Sequence, residues 1–268
     1  MDLRLKGRVA LVTGGSKGIG KAIAEGLAAE GVNLVLMARG AEALEATAAA
    51  IRQQHGVRVL TVTADIRKMD EVQQVASKAA AEFGEVHILV NNAGGPIKRP
   101  GRQITWSDAD WQDDINLKTI GMLRVIQAVL PSVPKDGTGR IINISGIAST
   151  SAFLTALTHG INNAAMNQAT LYLAKDLAAD RITVNTIIPG LISTEWRQGW
   201  AEAGGKAQGK TKDEFVADIC KQWGILSGRW TTPDEVADLV VFLASDRAAS
   251  INGAKIAIDG GYGTNPRG

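Results

Sequence analysis

Thr13-Gly14-Gly15-Ser16-Lys17-Gly18-Ile19-Gly20 stands between the apolar run Val9–Val12 and an alanine-rich stretch with helical spacing, Lys21–Glu30. A strand, a glycine-rich turn and a helix in that order predict a phosphate-binding loop. Gly14 lets the chain turn, Gly18 lets the backbone approach a pyrophosphate, and Gly20 lets the helix pack on the strand. The helix N-terminus then turns its free N–H groups towards the phosphates. The plainer alternative is a tight turn with no ligand, and the strand-turn-helix setting favours the phosphate reading over it.

Outward from this loop the alternation continues. Val9–Val12, Asn33–Met37, Val57–Val62, Val86–Val90, Arg140–Ile144, Ile182–Ile187 and Lys255–Ile258 read as strands. Lys21–Glu30, Ala41–Gln54 and Glu71–Phe83 read as helices. This pattern predicts an α/β fold, a Rossmann-type doubly wound parallel sheet of about seven strands, in a single domain over residues 1–268. Near-continuous apolar strands fit a sheet covered on both faces. Residues 190–232 break the rhythm with glycines, lysines, four tryptophans and no strand pattern. So long an insert is expected to form a lid over a substrate.

Hydrophobic residues make up 45% of the 268 and charged residues 21%, the balance of a soluble globular protein. The formal net charge of +2 is too small to steer nucleic acid or an anionic membrane, and neither is expected as a partner. Cys220 is the only cysteine, which excludes an internal disulfide and points to a reducing compartment. The run Val9–Val12, after Arg4, Lys6 and Arg8, is too short for a signal peptide or a membrane span. The expected location is cytoplasmic.

The second strand carries the choice of cofactor. NAD sites place a carboxylate at its end to bind the ribose 2′-hydroxyl. Here it ends Leu36-Met37-Ala38-Arg39. The planar fork of Arg39 suits a 2′-phosphate, and Lys17 can add a second positive charge, so the expected cofactor is NADP(H).

The loop spacing is Gly-x3-Gly-x-Gly, not Gly-x-Gly-x-x-Gly. Asn91-Asn92-Ala93-Gly94 follows the fourth strand, Asp65 closes the third, Asn116 lies in the next helical pattern, and Pro189-Gly190 with Thr194 follows the sixth. Ile251-Asn252-Gly253 and Asp259-Gly260-Gly261 flank the last strand. In this order the motifs resemble the short-chain dehydrogenase/reductase family along essentially the whole chain. The resemblance implies cofactor contacts at Gly14, Ser16, Lys17, Gly18, Ile19, Gly20, Arg39, Asp65, Ile66, Asn92, Ala93, Gly94, Asn163, Pro189, Gly190, Ile192 and Thr194. It also implies a homo-oligomer, a tetramer, paired through the helices of Asn116 and His159 and through the last strand.

In that family a serine, a tyrosine and a lysine join an asparagine in the chemistry. The tyrosine exchanges a proton with the substrate oxygen. The lysine, four residues later, lowers the tyrosine pKa and holds the nicotinamide ribose. The serine, thirteen residues before the tyrosine, orients the substrate. Alignment of His159-Gly160-Ile161-Asn162-Asn163 puts His159 at the tyrosine position, Asn163 at the lysine position and Gly146 at the serine position, with Ser145 one residue early. Only Asn116 of the usual four remains. Tyr172 and Lys175 are three residues apart and two to three turns further on, the wrong place to substitute. Asparagine carries no charge to depress a neighbour's pKa, but a histidine, with a pKa of about 6.5, needs no such help near neutrality. His159 and Asn163 share one helical face and can form an acid-base pair, with Ser145 and Asn116 as the other candidate catalytic residues.

Trp196, Trp200, Trp223 and Trp230 fall in the expected lid, and Trp106 and Trp111 before Asn116. They read as core or subunit contacts, or as walls of a pocket for a bulky apolar or aromatic small-molecule substrate. Three functions remain open: an NADP(H)-dependent oxidoreductase using His159, a non-redox enzyme of hydratase or lyase type on the same fold, and a non-catalytic NADPH-binding subunit.

Overall fold

Seven strands form one parallel sheet in the order β3-β2-β1-β4-β5-β6-β7. They are β1 (Val9–Thr13), β2 (Asn33–Ala38), β3 (Val59–Thr63), β4 (Ile88–Asn91), β5 (Arg140–Ile144), β6 (Thr183–Pro189) and β7 (Lys255–Ile258). The computed structural model describes residues 2–95, 102–153 and 156–262. The expected single doubly wound domain is what the chain forms. The strand order reverses between β1 and β4, so a crevice opens at their carboxyl ends, the place where such sheets bind ligands.

Alternating side chains of each strand supply two cores. Ala10, Val12, Leu34, Leu36, Val90, Ile142 and Ile187 face one side, where Ile23 and Leu27 of α1 (Gly18–Ala29), Leu44 and Ile51 of α2 (Ala41–His55), and Val236 and Val240 of α9 (Pro233–Ala244) cover them. Leu11, Val35, Met37, Leu89, Ile141 and Val184 face the other side. There α3 (Met69–Phe83), α5 (Gly121–Val129) and α6 (Leu157–Asp176) contribute Val72, Val75, Val125, Val129 and Met166. The two-residue period of a strand makes both faces possible from one run of apolar residues. Boundaries shift by a few residues from the sequence reading. β3 starts at Val59 rather than Val57, and α1 at Gly18 rather than Lys21, because the last two loop glycines already belong to the helix.

Residues 190–232 contain two helices, α7 (Glu195–Ala207) and α8 (Lys212–Trp223), and one isolated parallel bridge, Ile192 to Thr231. Thr194 caps α7, accepting from Arg197 N, and Thr211 with Glu214 forms a capping box on α8. The pair closes on its own small core of Leu191, Ala201, Phe215, Cys220, Ile225 and Trp230. Packing is close: a Cβ added at Gly204 would lie 2.5 Å from the Phe215 ring. Trp200 packs edge-on to Phe215 and stacks on Trp230, at 5.3 and 5.9 Å between centroids. Trp196 is 64% exposed. Trp223 turns to Phe153, which also stacks on Tyr262, so the β5–α6 loop and the chain's last described residues meet α8 through aromatic rings. Among the described residues no helix is long and apolar enough to cross a membrane.

Candidate active site

The glycine loop is fixed by its backbone. Gly14 has φ +69° and Gly18 φ +54°, the left-handed region in which glycine is at ease. A Cβ on Gly20 would lie 2.2 Å from the Gly14 carbonyl oxygen, so only glycine lets α1 start this close to β1. Thr13 Oγ1 accepts from both Asn92 N and Ala93 N at 2.9 Å, and Asn92 Nδ2 donates to Thr13 O at 3.0 Å. Those bonds tie the Asn92-Ala93-Gly94 turn to the glycine loop. Ser16 O accepts from Thr47 Oγ1 of α2 at 3.0 Å. α1 has neither a side-chain cap nor an acidic residue in its first turn, and its N-cap residue is Lys17. The positive end of the helix therefore stays open for an anion. Gly18 packs against Thr194, whose methyl is 3.3 Å from where a Cβ would be.

Lys17 and Arg39 are exposed, and neither makes an ion pair among the described residues. Asp65 lies two residues beyond β3, and Arg67 binds it at 2.5 Å while reaching Asp113 at 2.8 Å. That guanidinium holds the Asp65 carboxyl below the usual carboxylate range. Ile66 is buried and fills the space over Gly121, where a Cβ would meet it at 2.8 Å. Pro189 ends β6, and Gly190 N bonds Ile258 O at 3.0 Å. A Cβ on Gly190 would lie 2.7 Å from Asp259 Cα. Ile192 is buried at the root of the 190–232 segment.

The reaction end is built from β5, α6 and the turn after α4 (Asp108–Ile115). Asn116 opens a π-helical turn, Asn116–Ile120, and its side chain accepts from Arg124 Nη1 at 2.6 Å. π-turns inside helices are frequent at functional sites. Ser145 is buried, and its hydroxyl lies 3.4 Å from Ile187 O of β6. Asn163 is buried with Oδ1 unpaired, and its Nδ2 lies 2.9 Å from the place of a Cβ on Gly146. His159 is half-buried. Burial pushes its pKa down and the charge of Lys118 pushes it further, against Asp114 and a hydrogen bond with the Gly95 backbone. Neutral imidazole is thus the resting form near neutral pH. Tyr172 and Lys175 are both exposed on α6, where the sequence reading leaves them outside the site.

Three contributions were missed by sequence reasoning. Lys118 enters the cleft from the π-turn: its Nζ donates to Ser145 O at 3.4 Å, and its stem runs 4.0 Å from the Cβ place on Gly94. Burial lowers its pKa to about 8, against the pull of Asp114. A lysine two residues after Asn116, the only charged residue between Ile115 and Leu123, was the available signal. Gln103 is buried and caps α6 from outside the helix: its Oε1 accepts from Thr158 N at 3.1 Å, one residue before His159. A buried polar chain then fixes α6 on the sheet. Asn91 Nδ2 donates to Asn143 Oδ1, Asn143 Nδ2 to Thr170 Oγ1 (both 2.9 Å), and Thr170 meets Thr186 at 2.6 Å. No local pattern announces such pairs, because their members lie 16 to 55 positions apart.

An open helix terminus over a glycine loop at the switch point of a parallel sheet defines a dinucleotide-binding fold. The family model described as enoyl-(acyl carrier protein) reductase matches residues 14–263. D-threitol dehydrogenase of Mycolicibacterium smegmatis is 35% identical over 261 residues, 97% of this chain and 95% of that protein. The 3-oxoacyl-[acyl-carrier-protein] reductase of Escherichia coli K12 is 34% identical over 259 residues, 97% of this chain and 98% of that one. Among solved structures, L-sorbose reductase from Gluconobacter frateurii, complexed with NADPH and L-sorbose, superposes with a TM-score of 0.92 at 32% identity, covering 99% of this chain and 100% of that one. The chain belongs to the short-chain dehydrogenase/reductase family of oxidoreductases.

Proposed function

We propose that this chain is an NADP(H)-dependent oxidoreductase that interconverts an alcohol and a carbonyl compound, with His159 in the proton-transfer role the family gives to tyrosine. The observation that carries the reading is the pairing of a complete nucleotide cradle with a half-buried, neutral imidazole on the helix that borders it. Arg39 and Lys17 are free to hold the 2′-phosphate, the α1 terminus the pyrophosphate, and the unpaired Asn163 Oδ1 a ribose hydroxyl. NADP(H) supplies or accepts the hydride when bound. His159 takes the hydroxyl proton of an alcohol, or returns one to a carbonyl oxygen from its protonated form. Gly14, Ser16, Gly18, Ile19, Gly20, Ile66, Asn92, Ala93, Gly94, Pro189, Gly190, Ile192 and Thr194 shape the nucleotide site. Ser145 and Asn116 support the reaction end.

Residues 190–232 act as the substrate lid in this reading, rooted at Thr194 beside Gly18 and closed against the β5–α6 loop by Phe153, Trp223 and Tyr262. Those rings favour a substrate with an apolar or aromatic portion, while Trp230 is core and the partly exposed Trp200 stacks on it. The enzyme is cytoplasmic and a homotetramer. The exposed apolar residues Ile120, Leu123, Leu157 and Ile161 on the Asn116 and His159 helices provide the pairing face, and a monomer mass by light scattering at micromolar concentration would refute that assembly.

The test is oxidation of NADPH over a panel of small ketones, diketones and ketoses, and reduction of NADP+ over the matching alcohols. Turnover on any of them supports the reading. One observation favours a second reading, a nucleotide-binding chain without redox turnover: the Ser145 hydroxyl is turned to Ile187 O rather than left free. Tight NADPH binding with no turnover across the panel would move that reading ahead.

A further inference from the structure

We propose that Lys118 is the cation of this active site and the electrostatic partner of His159, doing for the histidine what the family's lysine, replaced here by Asn163, does for the tyrosine. The proposal rests on the reading of His159 as the proton-transfer residue. Lys118 reaches the cleft from a different element, the π-turn Asn116–Ile120, and passes between the end of β4 at Gly94 and the end of β5 at Ser145. A carbonyl oxygen, Ser145 O, receives its Nζ at 3.4 Å, so the ammonium is held without a carboxylate in direct contact among the described residues. A lysine with only a neutral acceptor keeps its charge available to whatever shares the cleft.

The charged and titratable groups around His159, element by element, number two among the described residues: Lys118 from the π-turn and Asp114 from α4. Asp114 is already engaged, accepting from Asn162 Nδ2 at 3.0 Å. The β4 end adds the Gly95 backbone and the β5 end an uncharged Ser145. Lys118 therefore opposes protonation of His159, and Asp114 limits the effect. Between the lowered midpoint of His159 and the value of about 8 for Lys118, the site holds a neutral base beside an ammonium. That combination takes a proton from an alcohol oxygen and steadies the negative charge left on it, while the hydride leaves carbon for the oxidised nicotinamide. In the other direction the hydride reaches the carbonyl carbon, and the oxygen takes its proton from His159 in its protonated form.

The experiment is a histidine NMR titration of the full-length chain, wild type against Lys118→Met, with His159 assigned by its loss in His159→Gln. The chain has three histidines, so His55 and His87 serve as internal controls. Lys118→Met keeps the stem and removes the charge. The expected result is an upward move of the His159 midpoint by roughly half a pH unit or more, with His55 and His87 unmoved and with Lys118→Arg holding the wild-type value. Loss of the alkaline limb near pH 8 from the turnover profile of Lys118→Met should accompany it. A structural role for Lys118 alone would move neither quantity. If Lys118→Met fails to fold, Lys118→Gln takes its place. A folded charge-removed variant whose His159 midpoint stays put overturns the proposal. Full turnover in His159→Gln would instead overturn the proton-transfer reading beneath it, and the titration keeps the two failures apart.

Discussion

Two loops feed the same crevice, and they are specified in opposite ways. The β1–α1 loop is written in backbone: positive φ at Gly14 and Gly18, a 2.2 Å clash waiting at Gly20, and a helix terminus left uncapped. The β5–α6 loop is written in side chains. Gln103 caps α6 from outside, Asn143 and Thr170 pin it to the sheet, and Lys118 arrives from another helix. A backbone-defined site admits few residue changes, because a Cβ at Gly20 collides with main chain and side chains at Gly14 and Gly18 would need a positive φ. A side-chain-defined site can exchange its chemistry and keep its geometry, provided that neighbouring side chains change together. The first loop has the glycine spacing that resembles the family's, and in the reading proposed above the second carries His159, Asn163 and Gly146 at the positions of the family's tyrosine, lysine and serine.

The largest effect that can break this comparison is at His159. His159→Ala should lower turnover by about 10²-fold or more, the low end of what a positioned acid-base group contributes, with NADPH affinity unchanged. Steady-state kinetics and calorimetric titration of the same variant check both halves. Near-normal turnover would mean that the side-chain loop has not re-created proton transfer at this position. Wild-type alcohol oxidation should also rise with pH through the lowered His159 midpoint, since the base must be neutral to act.

Next in size is the nucleotide side. NADPH should bind at least about tenfold more tightly than NADH, roughly 1.4 kcal/mol for a 2′-phosphate on Arg39. Arg39→Ala should erase most of that preference, and calorimetry with each nucleotide measures it. Arg39 also exerts a weak pull on Asp65, whose main partner is Arg67. Removing Arg39 should therefore leave the fold intact. Equal affinities in the wild type would show that the exposed Arg39 and Lys17 are solvated surface cations.

The difference between the loops also explains what could be read from the sequence. Strands buried on both faces announce themselves as apolar runs, so the parallel, doubly wound sheet followed from β-α alternation, and glycines at fixed spacing predicted the phosphate loop. At the reaction end the sequence offered candidates only through resemblance to the family's spacing, at His159, Asn163 and Asn116, with Ser145 one residue off it. Gln103 and Lys118 act across 55 and 27 positions, and no periodicity encodes those distances. Nor could the sequence show that the Ser145 hydroxyl turns to β6 or that Asn116 is taken by Arg124, since both depend on which face of a turn the side chain leaves from.

The smallest effect is the most direct test of coupled change in the second loop. Gly146 has φ 169°, extended backbone open to any residue, so its lack of a side chain is not a matter of conformation. What opposes a side chain is Asn163: a Cβ at 146 would lie 2.9 Å from Asn163 Nδ2, and Asn163 is itself only 2% exposed, with little room to retreat. Gly146→Ala should therefore cost about 1 kcal/mol in the wild-type chain, the lower end of overpacking penalties. In an Asn163→Ala background the clash is gone. The same change should then be neutral or stabilise by about 0.4–1 kcal/mol, because alanine restricts the unfolded chain more than glycine does. Urea unfolding of the four chains gives the coupling directly, expected at about 1–2 kcal/mol. Additive effects would mean that positions 146 and 163 vary independently. Non-additive ones would mean that a side chain at 146 is disfavoured while asparagine holds 163, so that the two positions change most readily as a pair.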